Sequence, residues 1–134
     1  RTGMSISVAC PEGYDPPQNI LDFAKNNGCP EKFELCRNPL DAAKNADVLV
    51  TDVWASMGQE SEQRERARIF ANFQINPETL AVANDECMVL HCLPAHRGEE
   101  ITANVFEGHA NEIFDEAENR LHAQKAVMVK LMKK

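Results

Sequence analysis

"CMVLHCLPAHRGEEIT", residues 87–102, runs apolar from Cys87 to Leu90 and then becomes polar and reactive within a few residues. A near-continuous apolar run that ends in a loop of this kind reads as a buried strand of a parallel sheet. "DVLVTDV" (47–53) is a second such run. Around these two, strand-like and helix-like segments alternate. "SISVAC" (5–10) is β-prone and stopped by Pro11, and "EKFELCR" (31–37) alternates like an edge strand. "DPPQNILDFAKNNG" (15–28) reads as a helix capped by Asp15, with Ile20, Phe23 and Ala24 on one face. "NPLDAAKNA" and "NPETLAVA" (76–83) repeat the cap-then-proline start, while "GQESEQRERARIF" (58–70) gathers apolar residues only at its end. "TANVFEG" is a short helix, and residues 112–134 form a last one, with Phe114, Ala117, Leu121, Met128 and Leu131 at helical intervals. The alternation predicts an α/β, Rossmann-like parallel sheet with helices on both faces.

In such sheets ligands bind beyond the carboxyl ends of the strands. Two loops therefore carry the candidate chemistry: "DVWASMGQE" (52–60) and "HCLPAHRGEE" (91–100). Neither holds the glycine pattern of a dinucleotide or P-loop site. In the first, Asp52 can hold an ammonium group, and Ser56 and Met57 can present a hydroxyl and backbone groups to a zwitterion. The plainer alternative has Asp52 and Ser56 capping the helix that follows. Trp54, the only tryptophan, reads as packing material. In the second loop, zinc, a nucleophile, an anion site and packing are all open. Zinc lacks its spacing, because His91, Cys92 and His96 match no finger or ribbon. Cys92 alone would be a small buried hydrophobe. With His91, His96 and Arg97 near it in sequence, a reactive thiol of lowered pKa is the sharper expectation.

The 134 residues make one domain, 43% hydrophobic and 26% charged, with a net charge of −7. That charge opposes a phosphate backbone, and no basic stripe appears, which argues against nucleic acid. No apolar run reaches the roughly 18 residues of a membrane span. Five cysteines, odd in number and without a CxxC, are used as in a reducing compartment. "RTGMSISVAC" (1–10) does not look like a natural amino terminus, so an upstream localisation signal is not excluded.

"DVWASMGQE" and "HCLPAHRGEEIT", together with "ADVLVTDVW", "PEGYDPP" and "DEAENRLHAQKAVM", resemble the ornithine-binding half of the ornithine carbamoyltransferase family. The resemblance covers essentially the whole chain. Aspartate carbamoyltransferases carry a proline where Cys92 stands, and relatives acting on other amines depart from the Ser-Met-Gly loop. The resemblance implies carbamoyl transfer from carbamoyl phosphate to the side-chain amine of L-ornithine, giving citrulline and phosphate without metal or organic cofactor. It implies that Asp52, Ser56 and Met57 grip ornithine, and that Cys92, Leu93 and Arg120 meet carbamoyl phosphate. Cys92 and Arg120 would serve catalysis, and His91, Pro94, His96 and Arg97 would shape the site. A homotrimeric parent is implied, in a bacterial cytoplasm or a mitochondrial matrix.

The family's phosphate loop, its other half, the domain's first strand and the asparagine after it are absent from these 134 residues. The expectation is an ornithine-binding carboxy-terminal domain fragment, inactive alone. Two rivals remain: a carbamoyltransferase for acetylornithine or putrescine, and a Rossmann-like amino-acid-binding module without chemistry.

Overall fold

The computed structural model describes residues 3–27, 32–55 and 62–133. Within them four short strands and six α-helices follow in the order β1 (Ile6–Ala9), α1 (Gln18–Asn27), β2 (Phe33–Cys36), α2 (Pro39–Ala43), β3 (Val48–Thr51), α3 (Gln63–Phe70), α4 (Pro77–Val82), β4 (Met88–His91), α5 (Ala103–Gly108) and α6 (Ala110–Met132). The α/β class with parallel pairing expected from the sequence is borne out.

The strands are divided between two two-stranded ladders, β1 with β2 and β3 with β4. Register runs from Ile6 opposite Phe33 to Ala9 opposite Cys36, and from Val48 opposite Met88 to Thr51 opposite His91. Each pair is parallel, so each needs a helical crossover. α1 supplies the first, and the segment containing α3 and α4 the second. α2 packs on β1, β2 and α4, and so joins the two units.

Helix starts follow the cap chemistry read from the sequence in two cases. The Asn38 side chain accepts from the Leu40 N–H at the start of α2. Asn76 and Thr79 close a reciprocal capping box at α4. At α1 the expected cap is not used. The helix begins at Gln18, and Asp15 turns to the Arg37 guanidinium at 2.5 Å and 3.0 Å, a charge-assisted fork that outcompetes a backbone cap. The last helix begins two residues earlier than expected, at Ala110.

The core belongs to the second unit: Ala43, Leu49, Ile75, Cys87, Val89, Ile101, Val105, Phe106 and Ile113. Leu49, Val89 and His91 point into it, following the two-residue period of a strand. On the opposite face Val48, Val50 and Met88 are exposed. The apolar stripe expected on α6 is helical, but Phe114, Leu121, Met128 and Leu131 are exposed and Ile113 alone is fully buried there. α6 is fastened to β4 by Glu112, whose Oε2 accepts the Val89 N–H at 2.8 Å and lies 3.0 Å from His109 Nδ1. Burial pushes this carboxyl up, but the Val89 and His109 contacts outweigh it and hold it below its ordinary range. Among the described residues no helix is long and apolar enough to cross a membrane.

Candidate active site

Parallel pairing of β3 and β4 brings their carboxyl ends side by side, with Asp52 and Cys92 each one residue beyond its strand. The Cys92 thiol donates to Asp52 Oδ1 at 3.2 Å, and the same oxygen accepts the Val53 N–H at 2.7 Å. Both side chains are exposed. The helix cap considered for Asp52 and Ser56 from the sequence falls on residues 56–61, outside the described residues.

The expected lowering of the Cys92 pKa is overturned. Burial raises it first, and the hydrogen bond and charge of Asp52 and the charge of Glu116 raise it further. The residues near Cys92 in sequence are engaged with other partners. His91 is fully buried, with Nε2 3.1 Å from Glu100 Oε1 and Nδ1 accepting the Leu93 N–H at 3.0 Å. Arg97 pairs with Glu107 at 2.8 Å and lies over the Phe106 ring, 4.0 Å from its centroid. His96 sits between Glu99 and Glu100, 3.9 Å and 4.0 Å away. The thiol thus stays protonated near neutral pH and, among the described residues, faces carboxylates, not cations.

The loop after β4 is built by long-range contacts. Its Leu93–Pro94 bond is cis, Leu93 has φ 55°, and Pro94 is exposed. Gly98, at φ 95°, occupies a region that side chains rarely adopt, and its N–H reaches the Ile101 carbonyl at 2.8 Å. Gln74 donates to the Gly98 and Glu99 carbonyls at 2.9 Å and 2.5 Å. Ile75 and Ile101 meet in a parallel bridge.

Two carboxylates were not singled out in the sequence. Glu100 is fully buried under the loop. Glu116, on α6, acts on Cys92, and its Oε2 is buried without a partner. Four-residue spacing on a helix puts Glu116 and Arg120 on one face, which is the signal that would have found Glu116. Arg120 is exposed one turn further on, and makes no hydrogen bond or ion pair among the described residues. Ser56 and Met57 lie outside the described residues. Trp54 stacks on Phe70 with centroids 6.1 Å apart, as packing material does.

Among the described residues two trios could approach a metal ion: Asp52, His91 and Cys92, and His96, Glu99 and Glu100. In the first, both His91 nitrogens are already committed. The second offers three residues, one fewer than the four of a structural zinc site. What the strand ends do offer is a thiol between carboxylates, an arrangement that suits an amine cation.

Residues 1–131 match the profile of the aspartate/ornithine carbamoyltransferase family, Asp/Orn binding domain. The chain is 50% identical over 131 residues to the ornithine carbamoyltransferase of Geobacter sulfurreducens, a match covering 98% of this chain and 43% of that protein. The crystal structure of anabolic ornithine carbamoyltransferase from Campylobacter jejuni superposes with a TM-score of 0.90 at 40% identity, over 96% of this chain and 43% of that one. An acetylornithine transcarbamylase complexed with acetylcitrulline is also similar, with a TM-score of 0.78 at 28% identity over 98% of this chain and 41% of that one. The chain spans 43% of the length of the Geobacter relative. By profile, identity and fold, this chain belongs to the aspartate/ornithine carbamoyltransferase family and carries its Asp/Orn binding domain.

Proposed function

We propose that the chain forms the ornithine-binding half of an enzyme that moves the carbamoyl group of carbamoyl phosphate onto the side-chain amine of L-ornithine, giving L-citrulline and phosphate. The observation that carries this reading is the 3.2 Å contact between Cys92 and Asp52 at neighbouring strand ends. Asp52 Oδ1 is occupied, which leaves Oδ2 for the α-ammonium of a free amino acid. Ser56 and Met57 complete that grip, while the backbone of Cys92 and Leu93, with Arg120, meets carbamoyl phosphate. Pro94, His96 and Arg97 shape the loop. Assembly as a homotrimer belongs to the same proposal.

The attacking amine arrives as an ammonium, because an alkylamine titrates near 10.4. It must lose one proton before attack. The Cys92 sulfur can accept that proton once its own has passed to water, so thiolate becomes thiol as ammonium becomes amine and Asp52 keeps the charge that grips ornithine. The freed nitrogen lone pair then forms the bond to the carbamoyl carbon. The carbon–oxygen bond to phosphate breaks with its electron pair on oxygen, and the second amine proton leaves with the phosphate. Arg120 offsets the charge that grows on the departing oxygens. Cys92 forms no covalent bond to substrate.

The acetylornithine reading differs at one group. An acetylated α-nitrogen is neutral, so Asp52 has no cation to hold there. An amine panel on the complete enzyme carrying this chain separates the two. Ornithine is expected to be turned over well above N-acetylornithine and putrescine. Preference for either of the others overturns the assignment.

A further inference from the structure

We infer that Glu100 is a positioning residue for the carbamoyl phosphate end of the site, acting through His91 on the backbone of Leu93. The inference rests on the carbamoyl-transfer reading for its purpose, and on geometry alone for its existence.

Glu100 and His91 are both fully buried, which is costly for either unless it is paired. Glu100 Oε1 lies 3.1 Å from His91 Nε2 and accepts the His96 N–H at 2.6 Å. On the other side of the ring, Nδ1 accepts the Leu93 N–H at 3.0 Å. A backbone N–H can only donate, so Nδ1 must be bare. The ring proton then sits on Nε2 and points at the carboxylate. Three groups are thereby fixed in one direction: carboxylate, imidazole, amide. The last of them belongs to a non-glycine residue at φ 55°, a sparsely populated conformation that persists only where its surroundings enforce it.

The consequence lies at the strand end. Holding the Leu93 amide inward sets the direction in which the backbone between Cys92 and Leu93 faces outward. Glu100 also holds the His96 amide, so one carboxylate spans the loop from both ends. It touches no substrate in this scheme. Its remaining oxygen, Oε2, is buried without a hydrogen-bond partner among the described residues, 4.0 Å from His96 Nδ1, so the positioning runs through Oε1.

The test has a spectroscopic and a kinetic arm. In the unmodified chain, nitrogen-15 shifts of the His91 ring are expected to show Nε2 protonated and Nδ1 bare at neutral pH. A protonated Nδ1, in either the other tautomer or the imidazolium, overturns the inference before any variant is made. Glu100→Gln keeps an acceptor for both donors and is expected to preserve the tautomer and the Leu93 amide shift. Glu100→Leu removes the acceptor and should displace both. In the complete enzyme, Glu100→Leu is expected to raise the KM for carbamoyl phosphate at least about tenfold, as for loss of a buried hydrogen-bond partner, with Glu100→Gln restoring it. Lower melting temperature with unchanged carbamoyl phosphate KM would reduce Glu100 to a structural role. If the unmodified enzyme makes no citrulline, the functional reading fails while the tautomer and the amide shift still decide the relay. Should Glu100→Leu fail to fold, the unmodified chain's tautomer and the Glu100→Gln kinetics carry the decision.

Discussion

The two βαβ units differ in what they bury. The unit of β1, α1 and β2 has Cys10, just after β1, and Cys36 as its buried hydrophobic residues, and its helix buries none: Ile20 and Phe23 are more than half exposed. The unit around β3 and β4 holds the whole hydrophobic cluster, two fully buried polar residues, and the Asp52–Cys92 pair. The same topology thus serves two ends. The Asp52–Cys92 pair sits on the unit that holds the packed core, where preorganisation is best supported.

The comparison can be broken at its strongest point. Phe106→Ala removes a side chain that is 2% exposed and should cost about 3–5 kcal/mol, read from the urea midpoint. A cost below about 1 kcal/mol would mean that the second unit is not the core. Next comes Asp52→Asn in the complete enzyme. Losing a charge-assisted contact worth about 1.5–3 kcal/mol should raise the ornithine KM, and an unchanged KM removes Asp52 from the site. Cys92→Ala should depress kcat and alter its pH profile while leaving carbamoyl phosphate binding nearly intact. Wild-type kcat across pH would return the thiol to packing.

Acid should loosen the second unit in a particular place. Glu100 is pushed up by burial but held below its ordinary value by the stronger effect of the His91 and His96 bonds. Glu112 behaves likewise through Val89 and His109. A carboxyl whose folded pKa is lowered stabilises the fold above its unfolded value, and that contribution is lost as pH falls through the folded one. Hydrogen exchange at the Val89 and Leu93 amides should therefore speed up below the ordinary carboxylate range, ahead of their neighbours. Uniform exchange across β4 would contradict it. The smallest effect belongs to the first unit: Phe23→Ala, on an exposed helix face, should change stability by no more than about 0.5 kcal/mol.

These contrasts also mark what was legible in the sequence. Cap residues act within a few positions of themselves, so Asn38 and Asn76 could be read directly. Asp52 and Cys92 could be placed at strand ends because the apolar runs before them have a definite period. Asp15 misled because its partner, Arg37, is 22 residues away. The His91, His96 and Arg97 directions depend on Gln74, Ile75, Glu100 and Glu107, none of which announces its pairing locally. Apolar spacing on α6 reported the helix faithfully but not its burial, since spacing knows nothing of what lies opposite.

The Glu112–Val89 contact, described above as a fastening, is also a fulcrum. From Glu112 to Met132 there are twenty residues, and at about 1.5 Å per residue the helix tip stands roughly 30 Å from that point. A tilt of about 5° at Glu112 therefore sweeps the tip through roughly 2.5 Å, but shifts Arg120, about 12 Å along, by only about 1 Å. The carboxylate that grips the Val89 amide shares the aim of that lever with Ile113 in the core and with Phe114 against Phe106, and all three lie within the first turn of the arm.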